Sequence, residues 1–262
     1  MTDVVYNSIG INYNKNRAAD PRILKVMTRL LDLPMGSVIA DIGAGTGNYS
    51  NALADLGFII KAIEPSEEMR RQAKSHIHVT WIPGTAESIP LKDNSVDGVV
   101  IILALHHFHS LKQVSTELHR ICPKGPIVLF TLDPREGKVP WFKDYFPDIY
   151  RKDFKTFPPI ARIFEILAFD NRWSKIIEPF PLPHDLADKN MYSAWRNPER
   201  YLDEQFRKNT SGFALASEPI VRSGVDRLRS DLRTGKWDKK YGDLRNKTFF
   251  DAGFKFIKCA FS

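Results

Sequence analysis

The stretch "SVIADIGAGTGNYS", residues 37–50, confines this chain to few folds. Its first residues are apolar and read as a short strand. Three glycines follow at alternate positions, Gly43, Gly45 and Gly47, and a helix then opens at about Asn48 and runs to Leu56, before Gly57. Glycine costs backbone entropy in any element. Three in one turn therefore mean a positive φ, a close neighbour, or both. A strand, a bare turn and a helix start together make a cradle of free N–H groups suited to a nucleotide-like ligand. The spacing excludes two versions of that cradle. A dinucleotide fingerprint G-x-G-x-x-G needs its third glycine at position 48, which is Asn48, and no G-K-[S/T] follows as a phosphate loop demands.

The same rhythm continues along the chain. Asp20-Pro21 is an N-cap followed by proline, and Ile23, Leu24, Met27, Leu30 and Leu31 recur at helical spacing. Strands are expected at 38–41, 58–64, 78–83, 95–105 and 125–133, with a helix opened by Ser66 and another over "LKQVSTELHRI". The run "SVDGVVIILAL" is apolar almost throughout, as a strand buried on both faces should be. Strands alternating with helices imply βαβ units and a parallel sheet, whose ligands sit beyond the carboxyl ends of the strands near the switch point. Beyond residue 134 the pattern loosens. Residues 158–169 read as a helix, 173–180 as a strand stopped by prolines, 184–249 as mainly helical, and 253–261 as a last strand.

Composition narrows the class. At 262 residues, 43% hydrophobic and 26% charged, the chain reads as a soluble globular protein with one large domain, or a core with an appendage. The longest apolar run, Val99 to Leu105, is too short to span a bilayer, and "MTDVVYNSIG" does not read as a signal peptide. The two cysteines, Cys122 and Cys259, fit no metal-ligand spacing, so no metal site is expected and a reducing cytoplasm is the default. The net charge of +7 falls entirely after residue 134, where acidic residues are interspersed with the basic ones. That pattern reads as a solvated face in preference to a nucleic-acid surface.

Glu64 ends the second strand, where a carboxylate can accept hydrogen bonds from a ribose hydroxyl pair. With it, "DIGAGTG", "AIEPSEEM", "GTAESIPLKDNSVDGVV", "ALHHF" and "ELHRICPKGPIVLF" occur in one order between about residues 5 and 133. This set resembles the class I S-adenosylmethionine-dependent methyltransferases, nearest the ubiquinone/menaquinone C-methyltransferase-like small-molecule group. The resemblance implies a Rossmann-like, mostly parallel seven-stranded sheet flanked by helices, with a helical cap inserted before the last strand. The core would be residues 1–183 and 250–262, and the cap 184–249. It also implies S-adenosylmethionine as cofactor and S-adenosylhomocysteine as product.

Carried over position by position, the resemblance places Gly43, Ala44 and Gly45 against the methionine part of the cofactor and Asp41 at its ammonium. Glu64 would bind the ribose, Pro65 would pack near the adenine, and Ala86 would meet it through its backbone. Thr85 stands where the family has an acidic residue, which leaves Glu87 as the alternative adenine contact. Leu103 and Ala104 would line the far side. Tyr6, Tyr13 and Arg17 resemble a segment that closes over the site, with Arg17 either paired to the methionine carboxylate or solvated.

For chemistry, His106 and His107 are the candidate bases, and packing beneath the cofactor is the other reading. His109, His184, Asp185, Tyr192, Trp195 and Arg196 are candidates for acceptor contact, although a lone Tyr192 or Trp195 is more often cap core than contact. The expected function is in-line methyl transfer to a small-molecule acceptor. An RNA methyltransferase and a catalytically inactive cofactor-binding partner subunit are the alternatives. The chain lacks an RNP-like motif and a Pro-Cys pair, which weighs against RNA.

Overall fold

The computed structural model describes residues 17–138, 140–167, 172–208 and 210–261. Its first helix, α1 (Pro21–Leu31), starts where the Asp20 carboxylate accepts the Arg22 N–H at 2.9 Å, and it buries Ile23, Met27, Leu30 and Leu31. The strands and helices then alternate as β1 (Val38–Ile42), α2 (Asn48–Asp55), β2 (Ile59–Ile63), α3 (Glu67–Arg71), β3 (Val79–Ile82), β4 (Gly98–Ile102), α4 (Leu111–Ile121) and β5 (Ile127–Leu132). Next come α5 (Pro147–Thr156), α6 (Ile160–Leu167), β6 (Trp173–Pro179) and β7 (Leu182–Pro183). Four short or medium helices follow: α7 (Glu204–Lys208), α8 (Ser211–Ala214), α9 (Glu218–Arg233) and α10 (Lys236–Tyr241). The chain closes with β8 (Phe249–Phe250) and β9 (Phe254–Phe261).

Seven strands form one sheet in the order β3-β2-β1-β4-β5-β9-β6. All run parallel except β9, which is antiparallel to β5 and to β6. The order reverses between β1 and β4, where Asp41 lies level with Val100, so the glycine turn sits at the switch point. Alternate residues of the central strands face opposite cores. Ile39, Val100, Val128 and Phe130 pack with α1 and α2, while Ala40, Val99, Ile101 and Leu129 pack with α4 and α6. The fourth strand is shorter than the apolar run suggests. It ends at Ile102 because Leu103 takes a left-handed φ of 51°, and residues Leu105–His107 then form a 3-10 turn.

The insertion leaves the sheet at its carboxyl edge, since β6 runs parallel to β1. The antiparallel pair β7 and β8 closes its neck. Two features differ from expectation. Residues 184–203 are mostly turns, with a 3-10 turn at Pro198–Leu202, and helix begins only at Glu204. The cap also takes in the segment from Trp141 to Phe157, which the expected division at 183/184 assigned to the core. There the Phe142 ring lies 5.2 Å from Tyr192, Phe146 lies 4.8 Å from Phe213, and Trp141 lies 5.5 Å from Trp237. Gly224 of α9 seats on Phe146, where a Cβ would come within 2.4 Å of the ring. An aromatic core built from both segments defines the cap, and that pairing is between residues distant in sequence.

Candidate active site

The three glycines of the turn answer to three different constraints. A Cβ on Gly43 would meet the Ala104 Cβ at 2.6 Å, so the β1 and β4 loops touch through bare backbone. A Cβ on Gly47 would strike the Trp81 ring at 2.5 Å. Gly45 has φ +58°, and nothing lies within 4 Å of where its Cβ would point. It faces a cavity of about 500 Å³ that runs across the switch point.

Glu64 ties this wall together. Its Oε2 accepts the Gly45 N–H and its Oε1 accepts the Ser66 N–H, each at 2.9 Å, so one carboxylate joins the glycine turn to the start of α3. Arg70 on α3 donates to the Pro65 carbonyl at 2.8 Å and orders the same loop. Asp41 is fully enclosed and accepts the Ser50 hydroxyl at 2.5 Å. Burial pushes its carboxyl up to about 7; the Ser50 bond opposes that and the nearby Glu64 charge adds to it.

Most of the expected cofactor residues come together here. Arg17, Asp41, Gly43, Ala44, Gly45, Glu64, Pro65, Thr85, Ala86, Glu87, Leu103, Ala104, His107 and His109 all line the cavity. Tyr6 and Tyr13 lie outside the described residues. Arg17 is placed differently from expectation. Its guanidinium grips Asp188 in a two-pronged pair, Nε to Oδ1 and Nη2 to Oδ2, the second at 3.2 Å. Asp188 comes from the cap, 171 residues along the chain, and is 1% exposed. Asn48, where a dinucleotide fingerprint would put glycine, donates its side-chain amide to the Arg17 carbonyl at 3.1 Å. Glu87 is committed too, accepting the His109 and Ser110 N–H groups at 2.6 and 3.3 Å ahead of α4. Asp188, Met69 and Gln113 also line the cavity and escaped the sequence reading. Nothing in the local pattern of "HDLADKN" separates Asp188 from Asp185.

A second cavity of about 140 Å³ opens beside the first, beneath the cap. The two share Arg17, Leu103 and His107. Apolar side chains dominate the smaller one: Leu132, Phe157, Met191, Leu215 and Phe254, with Leu103 at the junction. His106 lines it as well, its ring 4.2 Å from Phe157 and 3.8 Å from His107. Burial holds both imidazoles below the usual histidine range, His107 down to about 4, so both are uncharged at pH 7.

Of the residues expected to meet an acceptor, Tyr192 lines this second cavity and His109 the first. His184, Asp185, Trp195 and Arg196 line neither. Trp195 is 2% exposed, stacks on Phe250 with ring centres 5.5 Å apart, and offers its carbonyl to the Trp141 indole N–H. It is cap core, because a large ring gains most where it is enclosed. The backbone N–H of His184 is spent on the Thr248 carbonyl at the neck of the insertion, and exposed Asp185 bonds Arg22 at 2.6 Å. Arg196 is half-buried on the same turn as Trp195.

A doubly wound sheet, a glycine turn at its switch point, an acidic residue ending the second strand and a cap over the carboxyl edge define a nucleotide-cofactor-binding α/β protein. Comparison with known proteins narrows this. Residues 40–130 match a family model described as a methyltransferase domain. The crystal structure of a proposed methyltransferase from an antibiotic biosynthesis pathway of Anabaena variabilis is 44% identical, with a TM-score of 0.90 over 94% of this chain and 99% of that one. The chain therefore belongs to the class I S-adenosylmethionine-dependent methyltransferases. A ubiquinone/menaquinone biosynthesis C-methyltransferase of Rubrivivax gelatinosus is 34% identical over 92 residues, 34% of this chain and 37% of that protein. The chain spans about two fifths of the length of the curated relatives it matches. A phosphoethanolamine N-methyltransferase of Haemonchus contortus, solved with S-adenosylhomocysteine, has a TM-score of 0.57 at 16% identity over 99% of this chain and 56% of its own, which is a likeness of fold.

Proposed function

We propose that this chain binds S-adenosylmethionine in the larger cavity and methylates a small-molecule acceptor held in the smaller one. The observation that carries this reading is the meeting of the two cavities at Arg17, Leu103 and His107. The larger one fits the cofactor at its walls. Gly45 leaves open the space a Cβ would fill, and the Glu64 carboxylate lines the same cavity, fixed there by the Gly45 and Ser66 N–H groups. Glu64 binds the ribose hydroxyls, the 43–45 backbone holds the methionine part, Asp41 faces its ammonium, and Pro65, Thr85 and Ala86 bracket the adenine. Bound S-adenosylmethionine supplies an electrophilic methyl group on a sulfonium.

The protein's part is alignment and exclusion of water, since the leaving group departs neutral. Leu103, held in its left-handed conformation by a 2.8 Å bond from its N–H to the Phe130 carbonyl, forms the apolar sill between the cavities. The neutral imidazoles of His106 and His107 place no positive charge beside the sulfonium. The Arg17–Asp188 pair ties Arg17 to the cap where the two cavities meet and cancels the guanidinium charge there.

A small acceptor is preferred to RNA because the second cavity holds only about 140 Å³. Among the described residues no helix is long and apolar enough to cross a membrane. Location in the cytoplasm is part of the same proposal. The test is a metabolite panel with label in the cofactor methyl group and bulk RNA as comparison. Label is expected in one or more small molecules and not in RNA. Absence of S-adenosylhomocysteine binding by calorimetry overturns the proposal.

A further inference from the structure

The smaller cavity carries polar atoms that its apolar lining does not require. Asp153 of α5 is 9% exposed, and its Oδ2 accepts the Tyr192 hydroxyl at 2.7 Å. Its Oδ1 makes no hydrogen bond among the described residues. Asn190 is 7% exposed. Its Oδ1 accepts the Tyr192 N–H at 2.9 Å, which fixes the orientation of the amide, and its Nδ2 is buried without a partner. His106 Nδ1 is likewise buried and unpartnered. A buried donor left unmade costs about 1–3 kcal/mol, so such atoms point to something that completes them. Asp153, Asn190, Tyr192 and His106 all line the one cavity, from three separate parts of the chain.

We propose that Asp153 and Asn190, braced by Tyr192, form a recognition site for a neutral acceptor bearing a hydroxyl or amino group on a flat apolar body. Asp153 Oδ1 accepts the substrate's O–H or N–H, and Asn190 Nδ2 donates to the same heteroatom or to one beside it. The rest of the wall, Leu103, Phe157 and Phe254 among others, takes the apolar body. Burial raises the Asp153 carboxyl to about 6, with the Tyr192 bond and the Lys152 charge opposing, so at pH 7 it is mostly ionised and acts as an acceptor. The other charged groups near it do not compete. Lys152 is at the exposed rim, His106 and His107 are neutral, Arg17 is paired with Asp188, and the Tyr150 and Tyr192 phenols are held protonated. The size suits one ring, since an apolar cavity of about 150 Å³ binds benzene. This inference rests on the proposed division into cofactor and acceptor cavities.

Fluorine NMR with four probes tests it on the full chain saturated with S-adenosylhomocysteine: 4-fluorophenol, 4-fluoroaniline, 4-fluoroanisole and 1,4-difluorobenzene. Calorimetric binding of S-adenosylhomocysteine is measured first, so failure of the cofactor reading shows separately. The phenol and the aniline are expected to bind about tenfold more tightly than the anisole and the difluorobenzene, the worth of one hydrogen bond to a charged group. Asp153→Asn preserves size, but its one oxygen meets the Tyr192 hydroxyl and an N–H₂ faces the cavity. It should erase the preference for the phenol while leaving the anisole within about twofold. Tyr192→Phe, which keeps the ring but frees Asp153 to turn, should reduce the preference without changing S-adenosylhomocysteine affinity. Equal binding of phenol and anisole, persistence of the preference in Asp153→Asn, or no probe binding at all overturns the inference.

Discussion

Replacing Glu64 with Gln tests the wall of the larger cavity at its most connected point. In the native protein both carboxylate oxygens accept backbone N–H groups, from Gly45 and from Ser66, in a position only 7% exposed. A glutamine has one oxygen. Whichever N–H it serves, its own N–H₂ then faces the other, donor against donor. The change forfeits one hydrogen bond to a charged group, about 1.5–3 kcal/mol, and leaves a buried donor unmet, which overlaps with that loss and does not simply add to it. A net cost of about 2–4 kcal/mol corresponds to a melting temperature lowered by roughly 5–10 °C in a chain of this size. S-adenosylhomocysteine affinity should fall as well, because the ribose hydroxyls lose a negatively charged acceptor. A loss of about 1–3 kcal/mol is about 5- to 150-fold in Kd. Thermal melts with and without ligand and calorimetric titration read the two effects independently. A variant that melts within a degree of wild type and binds S-adenosylhomocysteine within twofold would refute the reasoning.

The remaining outcomes follow from single features. Gly45→Val forces a branched side chain into φ +58° and into the open cavity, so ligand binding should vanish in calorimetry while the fold survives by circular dichroism. Asp41 titrates at about 7 in the fold against a reference of 3.8, so the native state favours its protonated form. Its contribution is therefore full below pH 4 and is lost as pH rises through 7, at most about 4 kcal/mol, and Asp41→Asn should flatten that part of the stability–pH curve in denaturant titrations. If the ligand's ammonium approaches Asp41, binding near pH 6 should release close to one proton, seen as a buffer-dependent enthalpy in calorimetry. Trp195→Ala removes a ring enclosed by the cap and should cost about 3–5 kcal/mol in denaturant unfolding, an effect on the cap as a whole.

What the sequence determined by itself is local. The alternation of strand and helix, the Asp20 and Ser66 caps, and the glycine turn followed by Glu64 are written in neighbours a few residues apart, where periodicity and dihedral preference decide the outcome. Even there it overran one boundary, since an apolar run cannot announce that Leu103 will turn left-handed and end β4 at Ile102. Only the tertiary structure decided which distant residues meet. Arg17 finds Asp188 across 171 residues, and Tyr192 reaches Asp153 across 39. Trp141, Phe142 and Phe146 join a cap that begins in sequence some forty residues later. It also decided that His106 and His107 are half-buried and neutral, and that Trp195 is core while Tyr192 lines a cavity, though both are aromatic residues on one short turn. The physical reason is that burial and long-range pairing depend on the path of the whole chain, which composition and spacing constrain only through the elements they build.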